Sequence, residues 1–242
     1  MLKSAEFWGA FMTLFFMHIT KTAGGTLKSM LRDANAGVVF HYPNEKTFDH
    51  DFRYSFATNV LYGHYIFGAH RQMGQVPNYA CFLRNPIDRT ISHFHHLHNV
   101  DQGRLGALAR QHGNITEFVQ NTQHWEMDNF QTRVISGVGN DVKFGQLTPL
   151  HLKQAMDNLE SHFRFIGIFE KLEESLIHLR DLIPEVSGKL PHVNKGKYKK
   201  SENTKVLSKL HRLNGFDAVL YDFALALSRF KKHGSNHLRL AG

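Results

Sequence analysis

The stretch from Phe15 to Leu31, FFMHITKTAGGTLKSML, joins an apolar run to a lysine, a glycine pair and an apparent helix start. The apolar run predicts a buried strand ending near Ile19, and the pattern from Thr26 onward predicts a helix. Glycines permit a tight turn, and the N–H groups of a helix start attract anions. The segment therefore predicts an anion-binding loop, with an ordinary strand-to-helix turn and a solvated lysine as the alternative. The lysine precedes the glycines, whereas the nucleoside-triphosphatase pattern GxxxxGK[ST] places it after them.

Composition limits the class of protein. The chain has 242 residues, of which 42% are apolar, and this length predicts one domain spanning residues 1–242. Lys and Arg number 29 against 21 Asp and Glu, so the net charge of +8 favours phosphate, sulfate, nucleic acid or acidic polysaccharide as a partner. Cys81 is the single cysteine, so no intramolecular disulfide can form and nothing indicates an oxidising compartment.

The N-terminus imitates a signal peptide, because Lys3 is followed by a mostly apolar stretch over residues 7–17. Cleavage after that stretch would destroy the predicted anion-binding loop. The stretch is also shorter than the roughly 20 apolar residues that a membrane-spanning helix needs. We therefore interpret it as a buried first strand and expect no membrane span.

Alternation of apolar runs and helical patterns predicts an α/β fold, a P-loop NTPase-like parallel sheet flanked by helices. The predicted strands cover residues 12–19, 37–42, 59–67, 79–84 and 164–169. The predicted helices cover residues 26–34, 86–99, 115–121, 150–162, 172–181 and 216–232. The basic stretch from Lys189 to Lys205 is predicted to be a mobile surface loop.

A second segment, FLRNPIDRTISHFHHLHN over residues 82–99, repeats the strand-to-helix arrangement. Its strand ends in Arg84, and its Asn-Pro pair predicts the start of a helix that carries Ser92. Arg84 is then expected at the same carboxyl edge of the sheet as Lys21, with a structural ion pair to Asp88 as the alternative role. Two anion sites on one edge indicate a ligand with two anionic ends.

These motifs resemble a known family. HITKTAGGTL, residues 18–27, resembles the 5′-phosphosulfate loop of sulfotransferases related to heparan sulfate 2-O-sulfotransferase, usually HIPKTAGTTL. FLRNPIDRTISHFHH, residues 82–96, resembles their 3′-phosphate segment, often LRDPIERxxSxYxx. Further similarity lies in YGHYIFGAH, DNFQTRVISG, FIGIFEKLEESL and NGFDAVLYDFA, so the resemblance spans most of the chain from His18 onward. The chain departs from the pattern at Thr20 for proline, Gly25 for threonine and Asn85 for aspartate.

The resemblance implies an enzyme that moves a sulfuryl group from 3′-phosphoadenosine 5′-phosphosulfate (PAPS) to an acceptor hydroxyl by in-line transfer, without a metal. Lys21 is then a catalytic residue that also binds the donor. The full implied donor-binding set is Lys21, Thr22, Ala23, Gly24, Gly25, Thr26, Leu27, Arg84, Ser92, Arg133, Lys195, Gly196 and Lys197. A buried structural role is the alternative for Arg133, and a solvated charge run is the alternative for Lys195 and Lys197.

Removal of the acceptor proton needs a base. His64 aligns with the catalytic histidine in the GHVxF segment of the polysaccharide 2-O-sulfotransferases, and the ordinary pKa of histidine suits general-base catalysis. His70 is the next candidate. For either histidine, the alternative is a non-catalytic position on the surface or in the core. The helix segment HFHHLHN spaces histidines three apart, but no carboxylate or cysteine accompanies them at HExxH-type spacing, so we expect no metal site there.

Two other function classes compete with the sulfotransferase. A P-loop-type nucleotide kinase would share the fold, but no GKT or GKS follows the glycines. A nucleic-acid-binding module would explain the charge, but the aromatic residues lie in apolar runs and do not alternate with the basic cluster. The family resemblance implies a glycan or a small hydroxylated metabolite as acceptor, and the net charge of +8 favours an acidic one. We expect a soluble cytoplasmic enzyme of bacterial or viral origin.

Overall fold

A parallel five-stranded sheet forms the centre of the protein in the computed structural model, which describes residues 13–33, 38–41, 60–186 and 204–234. The strands, which lie in the spatial order β2-β3-β1-β4-β5, are β1 Leu14–Met17, β2 Val38–His41, β3 Val60–Gly63, β4 Tyr79–Leu83 and β5 Phe163–Ile168. Every neighbouring pair is parallel. The α/β fold class predicted from the sequence is therefore confirmed. The carboxyl ends of all five strands meet at one edge, where ligands of such sheets bind.

Helices cover both faces of the sheet. Those in the described part of the chain are α1 Gly24–Asp33, α2 Ala69–Gln72, α3 Pro86–Asn99, α4 Arg104–His112, α5 Ile115–Asn121, α6 Phe130–Ser136, α7 Pro149–His162, α8 Leu172–Leu182, α9 Thr204–Leu213 and α10 Gly215–Gly234. Short 3₁₀ turns lie at Trp125–Met127 and Phe169–Lys171. No helix among the described residues is both long enough and apolar enough to cross a membrane.

Successive strand residues point to opposite sides of the sheet, as the pleat requires. Phe15 and Cys81 pack in a buried layer with α6, α7 and α10, and both side chains are 0% exposed. Phe16 and Tyr62 pack in a second layer with α1 and α8. A third apolar cluster joins α3 to α4, α5 and α9. This third cluster holds α3 in place beside the carboxyl edge.

The observed elements differ from the predicted ones in strand length, in the number of helices and in the basic loop. The predicted strand over residues 59–67 is too long, because β3 ends at Gly63 and the chain bends at His64. Four helices had no prediction: α2, α4, α6 and α9. The predicted basic loop lies outside the described residues over 189–203, and its last two residues begin α9.

Candidate active site

The loop that follows β1 has an unusual backbone. Lys21 and Ala23 are both left-handed, with φ of 71° and 70°. This conformation is costly for a residue with a side chain, and such strain concentrates at functional sites. The Thr22 hydroxyl donates to the carbonyl oxygen of Ile19 at 2.6 Å, which stabilises the turn. Because α1 begins at Gly24, the first N–H groups of the helix lack helical acceptors and are available to an anion.

Gly24 is required by a close contact with His18. A Cβ at Gly24 would lie only 1.7 Å from Nε2 of the His18 ring. The Tyr62 hydroxyl donates to the carbonyl oxygen of Gly24 at 3.0 Å, and the Tyr62 ring stacks on His18 with centroids 5.3 Å apart. Gly25 is different, since a Cβ there would meet no atom within 4 Å. The first glycine of the pair therefore has a packing role that the second lacks.

Arg84 and Lys21 meet at the carboxyl edge of the sheet. Nη1 of Arg84 donates to the carbonyl oxygen of Lys21 at 3.1 Å, and the guanidinium lies 4.2 Å from the centroid of the Phe169 ring. Burial and the nearby charge of Arg84 both lower the pKa of Lys21. The two positive side chains thus repel each other, and an anionic group bound beside them would relieve that repulsion.

Helix α3 begins directly beyond Arg84. The Asn85 side chain accepts hydrogen bonds from the backbone N–H groups of Ile87 and Asp88 at 3.1 and 3.2 Å, and Pro86 occupies the first turn. Ser92 is buried on this helix, one turn before the half-buried His96. Burial and then the charge of Lys21 lower the pKa of His96. This side of α3 therefore lies near the loop after β1.

His64 lies beside the same loop, directly after β3. Its ring centroid is 4.4 Å from that of His18, and its ring forms a hydrogen bond with the His18 backbone. Burial lowers the pKa of His64, and this effect exceeds the opposing influence of the Glu126 charge and of that hydrogen bond. Burial, followed by the charges of His64, Lys21 and Lys28, lowers the pKa of His18 to about 3. Both rings are therefore neutral at neutral pH.

His70, the alternative base, lies in different surroundings. It is 6% exposed and its Nδ1 is 2.8 Å from the Tyr79 hydroxyl. Its ring packs edge-on against Phe15 and Phe67. These contacts belong to the apolar layer next to α7 and α10, so His70 packs within that layer.

Arg133 has a structural environment. Its side chain is 0% exposed, forms an ion pair with Asp128, and donates to the carbonyl oxygens of Gly139, Val142 and Lys143. These bonds hold together the turn that follows α6. Of the two roles that the sequence leaves open for Arg133, donor binding and structural support, the contacts match structural support.

The histidine-rich segment of α3, weighed above as a metal site, contacts a glutamate. Nε2 of His93 is 2.6 Å from Oε2 of Glu126, which lies in the 3₁₀ turn Trp125–Met127. No group of three or more potential metal ligands occurs among the described residues. No sequence signal points to Glu126, because its partner lies 33 positions away along the chain.

The other predicted site residues divide into two groups. Thr22, Thr26 and Leu27 lie in the loop after β1 and the first turn of α1, beside Lys21. Lys195, Gly196 and Lys197 lie outside the described residues.

Comparison with known proteins identifies the family. The sequence profile of the Sulfotransferase family matches residues 11–224. No curated protein matches the chain by sequence. A crystal structure of mouse sulfotransferase SULT7A1 complexed with PAP aligns with 86% of this chain and 66% of its own, at 13% identity and a TM-score of 0.41. The chain thus spans about two thirds of the length of that solved structure. Because the family profile covers most of the sequence, the chain belongs to the sulfotransferase family.

Proposed function

We propose that the protein transfers a sulfuryl group from PAPS to the hydroxyl of an acceptor. The observation that carries this proposal is the direct contact between Arg84 and the Lys21 loop, beside a neutral His64. Lysine, arginine and a helix start are donors suited to a ligand with two separate anionic groups. Membership of the sulfotransferase family supports the same chemistry.

Each part of the site receives one role. The loop after β1 and the start of α1, from Lys21 to Leu27, bind the 5′-phosphosulfate end of the donor. Arg84 and Ser92 bind the 3′-phosphate, and Lys195, Gly196 and Lys197 are assigned to nucleotide binding from the resemblance alone. Lys21 stabilises the negative charge that develops on the oxygen between sulfur and the departing phosphate, as positioned cations do in phosphoryl transfer. This scheme requires no metal.

His64 removes the proton of the acceptor hydroxyl. A hydrogen bond to a backbone carbonyl fixes the proton on one ring nitrogen, which leaves the other nitrogen as the base. The bond between the His64 ring and the His18 backbone supports this arrangement. Because burial lowers the pKa of His64, the ring is ready to accept a proton at neutral pH.

The acceptor is proposed only as a class. The family resemblance favours a glycan or a small hydroxylated metabolite, and the net charge of +8 favours an acidic one. A screen for transfer of radiolabel from PAPS, in the presence of a metal chelator, would test polysaccharides, phenols and aliphatic alcohols in parallel. We expect label on at least one class. Turnover of ATP with Mg²⁺ but not of PAPS would instead show a nucleotide kinase.

The variant His64→Ala tests the base. We expect it to reduce turnover about 10²-fold or more, because positioned proton transfer contributes 10²- to 10⁴-fold. Binding of adenosine 3′,5′-bisphosphate and the melting temperature should stay close to wild type. The wild-type rate should rise with pH through a limb below the ordinary histidine pKa, and this limb should be absent in the variant. The variant should lose less turnover with a nitrophenol, whose hydroxyl is already acidic, than with an aliphatic alcohol. Loss of nucleotide binding would make His64 structural.

A further inference from the structure

The side chain of Gln131 holds the backbone of Arg84 at two points. Its Oε1 accepts a hydrogen bond from the Arg84 N–H at 3.0 Å, and its Nε2 donates to the Arg84 carbonyl oxygen at 2.9 Å. Arg84 is the first residue beyond β4, whose register with β5 ends at the pair Leu83–Ile168. A side-chain amide carries both an acceptor and donors, so it can pair with a backbone as a neighbouring strand does. Gln131 therefore extends the hydrogen bonding of the sheet by one residue, at the edge that carries the Lys21 loop.

Gln131 is itself fixed by a buried carboxylate. It is the second residue of α6, its side chain is 1% exposed, and its backbone N–H donates to Oδ2 of Asp217 at 3.1 Å. Oδ1 of the same carboxylate accepts from the N–H and the hydroxyl of Thr132 at 2.7 and 2.8 Å. In return, the Asn129 side chain accepts from the N–H groups of Phe216 and Asp217 at 2.8 and 3.1 Å. The starts of α6 and α10 thus cap each other, which fixes the backbone from which the Gln131 side chain extends.

The position of the Arg84 guanidinium depends on the backbone that Gln131 holds. The guanidinium lies between the Lys21 carbonyl oxygen, which accepts from Nη1 at 3.1 Å, and the Phe169 ring, whose centroid is 4.2 Å away. A binding group must be held within about 0.5 Å of its productive position, and the residues behind it supply that precision. Both hydrogen bonds of the Gln131 side chain go to the Arg84 backbone, so an effect of this side chain on a ligand passes through Arg84.

We infer that Gln131 is a positioning residue that fixes Arg84 for binding of the 3′-phosphate, with Asp217 holding Gln131 in turn. The inference rests on the role of Arg84 in the proposed function. It gives the segment DNFQTRVISG a role in the site that does not depend on Arg133, whose contacts match structural support.

The variant Gln131→Met keeps the length of the side chain and removes both hydrogen bonds to Arg84, and the exposed Gln154→Met on α7 is its matched control. Calorimetric titration should show adenosine 3′,5′-bisphosphate binding to Gln131→Met about tenfold more weakly than to wild type, equivalent to about 1.4 kcal/mol. Adenosine 5′-phosphate lacks the 3′-phosphate, so its affinity should stay close to wild type. Both affinities should be unchanged in Gln154→Met. Equal losses for the two nucleotides would make Gln131 a general support of the fold and overturn the inference.

A double variant tests whether Gln131 acts through Arg84. Adding Gln131→Met to Arg84→Ala should weaken adenosine 3′,5′-bisphosphate little further, because the effects of residues that share an interaction do not add. Additive losses would contradict the inference. If Gln131→Met does not fold, Gln131→Asn takes its place in the same cycle, since it keeps the amide but withdraws it from the Arg84 backbone by one methylene.

NMR relaxation of the Arg84 side chain gives a readout that needs no nucleotide. The side chain should be more mobile in Gln131→Met than in wild type or Gln154→Met. If wild type binds neither nucleotide but Arg84 becomes mobile in the variant, the proposed function fails and the positioning of Arg84 by Gln131 stands. If wild type binds adenosine 3′,5′-bisphosphate and the variant changes neither that affinity nor the mobility of Arg84, the inference fails and the proposed function stands.

Discussion

At the scale of single residues, Lys21 has the most direct predicted effect on the reaction. Its charge acts on the oxygen that becomes negative during transfer, so Lys21→Ala should lower turnover about 10²- to 10³-fold, the range for loss of one electrostatic donor. Steady-state rates with PAPS would measure this loss. The control is Lys153→Ala, which removes an exposed lysine that pairs with Asp157 on α7 and should leave the rate unchanged. Near-normal turnover in a folded Lys21→Ala protein would remove Lys21 from the mechanism.

Arg84 should contribute to binding more than to chemistry. Arg84→Ala is expected to weaken adenosine 3′,5′-bisphosphate by about 2 kcal/mol, as for loss of a charged hydrogen-bonding partner. Affinity for adenosine 5′-phosphate should change little, because that ligand lacks the 3′-phosphate. Calorimetric titration of both nucleotides, with the exposed Arg164→Ala on β5 as control, would compare them. Equal losses for both nucleotides would mean that Arg84 acts through its bond to the Lys21 carbonyl oxygen.

At the scale of elements, the two glycines at the start of α1 should respond in opposite ways to the same substitution. Gly24→Ala drives a methyl group into the His18 ring, so we expect about 1–3 kcal/mol of destabilisation and weaker nucleotide binding. Gly25→Ala meets open space on an exposed helical position and should be neutral or stabilising by up to about 1 kcal/mol. Denaturant unfolding would measure the free energy of unfolding of both variants against wild type. Similar stabilities would show that the His18 ring moves aside at no cost.

Local signals decided which elements could be predicted. The bounds of α3, Pro86–Asn99, match the prediction because Asn85 and Pro86 mark a helix start on their own. The helix α6 shows no amphipathic periodicity, because every residue from Phe130 to Ser136 is buried. The helix α4 contains Gly106, where a Cβ would lie 2.3 Å from the Asp101 carbonyl oxygen. This glycine lowers the helix propensity of the segment, which hid the helix from prediction, but the packing requires it.

At the scale of the whole molecule, topology brings together residues that are remote in sequence. The strands β3, β1 and β4 are adjacent, so His64, Lys21 and Arg84 leave the sheet side by side. The rule that parallel strands end at one edge was sufficient to predict this proximity. It was not sufficient to predict that Glu126, in the 3₁₀ turn Trp125–Met127, contacts His93 on α3. Such contacts depend on packing that one sequence does not reveal.

Buried neutral histidines should make the fold sensitive to acid. Unfolded histidine binds a proton near pH 6.5, whereas His18 in the folded protein does so only near pH 3. The unfolded chain therefore binds more protons between these values, and stability falls as the pH falls. At pH 5, His18 alone should lower the free energy of unfolding by about 2 kcal/mol. Burial raises the pKa of Asp217, which acts in the opposite direction because the folded state then binds the extra proton.

Thermal unfolding at pH 7 and pH 5 would measure the acid sensitivity. We expect a lower melting temperature at pH 5 and a smaller decrease in His18→Gln, which has no imidazole to protonate. The Gln variant also shows how far the remaining buried histidines, such as His64 and His93, contribute. Identical melting temperatures at the two pH values would contradict this account.

The buried position of Cys81 allows its thiol to report local unfolding of the native protein. Its thiol lies in β4, between β1 and β5 in the sheet, with 0% exposure, and the chain has no other cysteine to react. A thiol reagent should therefore modify the native protein only when this strand opens, so the labelling rate reports the free energy of opening without any introduced dye or mutation. Adenosine 3′,5′-bisphosphate at 100 times its Kd should slow labelling about 100-fold if it binds only the closed protein. Because the readout needs no acceptor, nucleotide recognition at the neighbouring edge can be measured before any acceptor has been found.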